Sequence, residues 1–296
     1  KALNEYGIRQ MIAWPKSLVR EIARRRCIFF LGAGVSASAK ALDGSSPKDW
    51  DTFISIATSL MTDSRKKGHV EELISSKNYL LALQGIMNTI DPGDYHSLLD
   101  EHFNSPIFEP SELHKRIFDL DARIVVTTNF DKIYEAYCQK QSTEGYKVIS
   151  YDSSSLVDEV RSDTRLIIKA HGSINEINKM IFTKSQYHNA KQQYPNFYEV
   201  LKSLFMTNTV LFIGCGLNDP DVCLLLEEVK IVGSPSRPHY ILVKQGAHNP
   251  FALDDWNASY NISVLEYGPD HDALKSDLGS LFDQVESIRS SGSTSV

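Results

Sequence analysis

Paired cysteine is what this sequence most plainly lacks. Its four cysteines, Cys27, Cys138, Cys215 and Cys223, include no Cys-x-x-Cys pair and no framework spacing. That excludes a zinc site built from two such pairs and a small disulfide-stapled secreted fold. Three of them lie in apolar segments, where a buried free thiol is ordinary, and a reducing compartment is expected. Long apolar runs are missing too: none approaches the ~20 residues that span a bilayer. The opening KALNEYGIRQMIAWPK does not have the pattern of a signal peptide. A cytoplasmic protein without a membrane segment is therefore predicted. Nor is there an excess of positive charge, because 31 Lys and Arg face 37 Asp and Glu for a formal charge of −6. This gives no electrostatic reason to expect direct nucleic-acid binding. The one basic run, Arg24-Arg25-Arg26, is read as a helix end that complements the helix dipole. Internal repeats are absent, and low complexity is confined to the Ser-rich end SSGSTSV. That end, with the start at Lys1, reads as a segment of a longer polypeptide.

What the sequence does contain is enough apolar residue, 42% of 296, to bury a substantial core. The β-branched or aromatic runs Cys27–Leu31, Arg123–Thr128, Arg165–Lys169, Val210–Ile213, Tyr240–Val243 and Ser263–Tyr267 are nearly continuous, the pattern of strands buried on both faces. Helix-period stretches separate most of them, at Lys16–Arg26, Asp131–Gln141, Asn196–Met206, Asp221–Ile231 and Asp272–Ile288. Strands alternating with helices predict an α/β fold, a Rossmann-like doubly wound parallel sheet. Between the first two strands lie about ninety residues, far more than one crossover helix needs. Trp50–Met61 and Tyr79–Ile90 are helical in pattern there. The organisation read is a single domain: a core at about 16–50 and 122–289, a helical insertion lobe at about 51–121, and a tail at 290–296.

Ligands of open parallel sheets bind at the carboxyl ends of the strands, so the residues just after each strand carry the functional reading. Gly32-Ala33-Gly34-Val35-Ser36-Ala37 follows the first strand and fits G-x-G-x-x-A, a tight turn whose amides can approach a pyrophosphate and whose Ser36 can donate a hydrogen bond. The same glycines can serve packing alone. A dehydrogenase fingerprint would continue into a helix and an acidic ribose reader, whereas here Asp43-Gly44-Ser45-Ser46-Pro47 is loop chemistry, with Ser46, Pro47 and Asp49 resembling the cap of the next helix. Thr127-Thr128-Asn129-Phe130-Asp131 follows the second strand; Asp131 can cap a helix or serve a ligand, and Asn129 needs polar partners. Lys169-Ala170-His171-Gly172-Ser173 offers a histidine able to act as general base near neutral pH or to be a satisfied structural residue. Gly214-Cys215-Gly216-Leu217-Asn218-Asp219-Pro220-Asp221 brings backbone close to a flat or charged group, with Asp219 and Pro220 read as helix cap and first helical residue.

Taken together, GAGVS, TTNFD, KAHGS and FIGCGLNDPD, each behind a strand and in this order, resemble the SIR2-like family, in particular its bacterial branch of NAD-depleting anti-phage defence proteins. The resemblance runs from about Cys27 to Tyr267. It implies that Gly32, Ala33, Gly34, Ser36 and Thr128 bind the NAD phosphates and ribose. Asn129 and Asp131 would line the nicotinamide side, and His171 would be the catalytic histidine. Gly214, Gly216 and Asn218 would sit near the adenosine half. Protein-deacetylating sirtuins add a zinc lobe and a Pro-Asp-Phe-Arg segment, and neither pattern occurs here. The expected activity is an NAD⁺ hydrolase using NAD⁺ as substrate, with no metal, releasing nicotinamide and ADP-ribose; cyclisation stays open. The alternatives are an NAD or ADP-ribose sensor, a nicotinamide oxidoreductase and an NAD-dependent deacylase. Self-association is expected, through the helical insertion or the outer helices, from the acidic, apolar-rich stretch Glu71–Ile90 and from the family's habit of assembling. So is gating by a partner such as an ATPase, an Argonaute-type protein or a phage component.

Overall fold

A computed structural model describes residues 11–48, 50–104, 107–142, 145–216, 226 and 237–292. Its strands are β1 (Cys27–Leu31), β2 (Lys40–Ala41), β3 (Phe108–Glu109), β4 (Ile124–Thr127), β5 (Lys147–Ser150), β6 (Leu166–Lys169), β7 (Thr209–Ile213), β8 (His239–Lys244) and β9 (Ile262–Tyr267). Seven of them form one sheet in the order β5-β6-β4-β1-β7-β8-β9, and every pairing in it is parallel. The chain leaves β1 toward β4 on one side and leaves β7 toward β8 on the other. The crevice between β1 and β7 is therefore the topological switch point of a doubly wound sheet.

Register carries the motifs to one edge. Leu31 pairs with both Thr127 and Ile213, and Thr127 pairs with Lys169. The four segments that follow these strands consequently leave the sheet side by side. Alternation explains the two apolar layers. Phe29 and Leu31 of β1 join a core with the helices at Lys16–Ala23, Glu112–Asp119 and His271–Ser290, while Ile28 and Phe30 join one with the helices at Lys184–Gln193 and Pro195–Thr207. A third apolar cluster unites Phe53, Ala82, Leu83 and Leu99 of the helices at 50–103 with Phe130, Ile174, Met180 and Phe182. The side chains just past β4 and β6 thus form the seam between sheet and helical layer.

Several elements differ from the sequence expectation. Edge strand β5 did not stand out because only Ile149 of its four residues is buried, so it has no continuous apolar run. The ribbon of β2 and β3 is two residues per strand, below any periodicity. Helix Glu112–Asp119, inside the range read as insertion, buries Leu113 and Ile117 in a core layer of the sheet. Pro47 does not open a helix: residues 45–48 are irregular and the next helix is Trp50–Ser59. Asp49 lies outside the described residues, as do Asp219, Pro220, Cys223 and all of the predicted helix Asp221–Ile231 except Leu226. The arginine run does end a helix: Arg24 is the C-cap of Lys16–Ala23. Arg25 turns into the left-handed region at φ 55° and forms an ion pair with Asp121.

Candidate functional site

The glycines after β1 and β7 interlock. A Cβ on Gly32 would lie 2.6 Å from the Gly214 carbonyl oxygen, one on Gly34 would lie 2.9 Å from the same atom, and one on Gly214 would lie 2.5 Å from the Val35 amide. The Gly34 amide donates to Gly214 O at 2.9 Å and the Gly32 amide to Ile213 O at 3.0 Å. Both amides are thereby committed to joining the two strand exits. Packing is one reason for these glycines, and the face left to a ligand is formed by Ala33, Gly34 and Ala37.

Beside this turn, three polar side chains meet. Ser36 Oγ donates to Asp131 Oδ2 at 2.6 Å, and Asn129 Nδ2 donates to Ser36 Oγ and to the Gly32 carbonyl, each at 2.9 Å. A hydroxyl has one proton, and here Asp131 takes it, so Ser36 organises the turn. Asp131 Oδ1 also accepts from the Ile133 amide at 2.9 Å, at the start of helix Ile133–Gln141. Asp131 thus holds the first amide of this helix from one position before the N-cap, Lys132, whose own side chain makes no capping bond. Thr127 Oγ1 donates to Leu31 O at 2.8 Å and accepts from the Asn129 amide at 3.0 Å, which fixes the β4 exit against β1.

Two cavities open at this edge, both touching Ala33, Gly34 and Ala37. The smaller, of about 250 Å³, is lined by the polar side chains of Ser36, Thr128, Asn129 and Asp131 together with Lys48 and the aromatic rings of Phe53, Phe103, Phe108 and Phe130. Its aromatic rings pack on one another: Phe130 stacks on Phe182 at 4.2 Å between centroids, and Phe103 meets Phe130 edge-on at 5.3 Å. The larger, of about 800 Å³, extends past Gly214 and Gly216 along the ends of β8 and β9. Gly32 lines neither cavity, and Asn218 lies outside the described residues.

His171 is placed differently from the rest of its set. It leaves β6 one strand beyond Asn129, with the Ala170 amide bonded to Thr127 O at 2.8 Å, yet its residue is 1% exposed and lines neither cavity. Its ring lies edge-on to Tyr187 at 6.2 Å. Gly172 beside it has φ +85°, and a Cβ there would strike Lys179 O at 2.6 Å, so this turn requires glycine.

Two supports of the site were not singled out from the sequence. Lys169, the last residue of β6, is buried and sends its ammonium to the Asp131 carbonyl and, at 3.2 Å, to the buried Glu135. A lysine ending an apolar strand next to a histidine motif was its only signal. Fully buried His114 accepts at Nδ1 from the Ser111 amide at 3.1 Å. Burial pushes His114 down to about 4 against the opposing pull of the Asp131 carboxylate, so the imidazole stays neutral behind the site. Among the described residues no group of three or more His, Cys, Asp or Glu is placed to hold a metal ion. None of the described helices is long and apolar enough to cross a membrane.

Residues 123–265 match the model of the SIR2-like domain. Among curated proteins the chain is 26% identical over 277 residues to defense-associated sirtuin 2 of Bacillus subtilis, covering 92% of this chain and 25% of that protein. It is 26% identical over 239 residues to the NAD(+) hydrolase ThsA of Enterococcus faecium, covering 78% of this chain and 45% of that protein. A ThsA of Acinetobacter baumannii is 25% identical over 251 residues, with coverages of 84% and 48%. The chain thus spans between a quarter and a half of the length of these relatives. A solved structure described as "Structural Basis for the Mechanism and Regulation of Sir2 Enzymes" superposes over 92% of this chain and 97% of that one, with TM-score 0.47 and 13% identity.

Proposed function

We propose that this chain cleaves the nicotinamide–ribose bond of NAD⁺, giving nicotinamide and ADP-ribose. The observation that carries the proposal is the two-lobed cleft: a cavity lined by aromatic rings and by Asn129 and Asp131 shares the Ala33–Gly34–Ala37 turn with a larger one. A flat ring fits the first, an adenosine the second, and a pyrophosphate the turn between them. Relatives named NAD(+) hydrolase support the same assignment.

Breaking the bond expels neutral nicotinamide and leaves an oxocarbenium-like ribose. Asn129, its Nδ2 held by Gly32 and Ser36, turns Oδ1 to a ribose hydroxyl or to the attacking water. The Asp131 carboxylate offsets positive charge developing on the sugar. His171 is assigned the proton of the nucleophile, an assignment that requires the enclosed β6 exit to open to the ligand. An ungated NAD⁺ hydrolase would deplete its own cell, so this reading includes control by self-association or by a partner in anti-phage defence.

The enclosure of His171 favours one second reading, a sensor that binds NAD⁺ or ADP-ribose without turnover. Incubation with NAD⁺ separates the two. Loss of NAD⁺ matched by free nicotinamide supports the hydrolase, binding without loss supports the sensor, and absence of both binding and loss removes both.

A further inference from the structure

The polar lining of the larger cavity is cationic in an acidic chain. Among the described residues its charged and imidazole groups are Lys40, Lys244 and Lys275 with His248 and His271, against the single carboxylate of Asp272, while the chain as a whole carries a formal −6. Lys275 is paired with Asp272 at 2.6 Å. Lys40 and Lys244 then supply the net formal charge of this half of the cleft.

Position decides what that charge is for. Lys244 is the last residue of β8 and pairs in register with Tyr267, the last residue of β9. Two strand spacings separate β8 from β1, about 10 Å, so Lys244 stands beyond a pyrophosphate lying over the β1 turn. In dinucleotide-binding folds an acid reads the adenosine ribose hydroxyls and a cation near that ribose accommodates a phosphate on it; with the adenosine placed in the larger cavity, Lys244 is the strand-end cation that lines it. Glu266, the acid next to the end of the neighbouring strand β9, is exposed, does not line the cavity, and accepts from the Gly246 amide at 3.2 Å.

We propose that the adenosine end of the cleft takes a ribose bearing an additional phosphate, so that NADP⁺ is a substrate at least as good as NAD⁺, with Lys244 as the specificity-determining residue. The inference rests on the dinucleotide reading above. In the reaction, water oxygen bonds to the anomeric carbon of the nicotinamide ribose and the C–N bond breaks with its electron pair going to the pyridine nitrogen. The water proton passes to the enzyme's base and then to solvent. Nicotinamide and 2′-phospho-ADP-ribose result, and neither oxidant nor reductant is required.

Calorimetric titration of the chain with ADP-ribose and with 2′-phospho-ADP-ribose tests this without requiring turnover. A charge-assisted contact to the extra phosphate should make the second ligand bind on the order of tenfold tighter, with the preference shrinking as salt is raised. Lys244→Glu should abolish the preference while ADP-ribose binding persists, and Lys244→Met, which keeps the stem, should abolish most of it. Equal affinities in the wild-type chain would overturn the inference and leave the cleft reading intact. Equal loss of both ligands in Lys244→Met would assign the lysine to the pyrophosphate and overturn it too. If neither ligand bound the wild-type chain, the cleft reading would fall along with it.

Discussion

Asn129 and His171 leave adjacent strands at the same sheet edge, and the fold treats them in opposite ways. Asn129 is half-buried at a cavity wall, with its amide hydrogens pinned to the β1 turn. His171 is 1% exposed under Tyr187 and meets neither cavity. The contrast shows that one edge holds a ready polar wall and, a strand away, an enclosed imidazole. Function and structure are also shared unequally. Asn129 and Asp131 tie the turns together while lining the smaller cavity, so on the proposed function their loss should cost stability and turnover, whereas loss of His171 should cost turnover first.

The largest effect tests that difference directly. His171→Ala is expected to slow nicotinamide release by on the order of 10²–10⁴-fold, the usual worth of a positioned base, while ADP-ribose still binds. Asn129→Ala is expected to lose turnover similarly and, by giving up two hydrogen bonds, to lower unfolding free energy by about 1–3 kcal/mol. Rates normalised to folded protein, with denaturant unfolding of each variant, check both. Near-normal turnover in His171→Ala would remove the histidine from the chemistry and move the sensor reading ahead.

Next comes the lysine beneath Asp131. Lys169→Met leaves the buried Glu135 carboxylate without its cation, a change that typically costs about 3–5 kcal/mol. Glu135→Leu added to it should restore much of the loss, because a matched apolar pair avoids the desolvation penalty. No recovery in the double variant, measured by urea unfolding, would mean that the contact of Lys169 with the Asp131 carbonyl is the dominant one.

A third prediction concerns pH. Burial holds His114 and His239 at about 4, below the ordinary imidazole value. The unfolded chain takes up these protons from about pH 6.5 downward and the folded chain only near 4, so stability is full above about 6.5 and falls as pH drops through this window. Each histidine accounts for a loss on the order of 3 kcal/mol across it. A melting temperature flat from pH 7 to 4.5 would contradict this. Loss of the pH slope in His239→Phe alone would place the whole effect on the β8 side, away from Asp131.

How much of this was legible in the sequence follows physical lines. The strands β1, β4, β6, β7 and β8 stood out because both faces are buried and their apolar runs are nearly continuous, while edge strand β9, buried only at Ile262 and Tyr267, stood out by its β-branched and aromatic residues. Edge strand β5 has one covered face and gave no such run. Ser36, Asn129 and Asp131 were legible as strand-exit polar residues, but their mutual hydrogen bonds depend on register between β1 and β4, which no local pattern encodes. The aromatic lining of Phe53, Phe103 and Phe108 comes from segments far from the motifs in sequence, brought there by tertiary packing. The same holds for His171: the motif marked its position, and only the packing of helix Lys184–Gln193 shows it enclosed.

That helix gives the smallest effect and the finest test of the comparison. Thr183 caps it in a reciprocal box: Thr183 Oγ1 accepts from the Gln186 amide at 3.3 Å and Gln186 Oε1 accepts from the Thr183 amide at 3.0 Å. Removing an N-cap hydroxyl costs about 1 kcal/mol, so Thr183→Ala should lower stability modestly without touching either cavity. Tyr187, on the first turns of this helix, is the ring that meets His171. Loosening the cap therefore loosens one wall of the enclosure more than it loosens the sheet. If the enclosed histidine must emerge to reach the nucleophile, nicotinamide release per folded molecule should hold or rise in Thr183→Ala while the melting temperature falls. A drop in turnover as deep as that of Asn129→Ala would show the opposite, that the enclosed position is itself the working one and that Tyr187 holds His171 where the chemistry needs it.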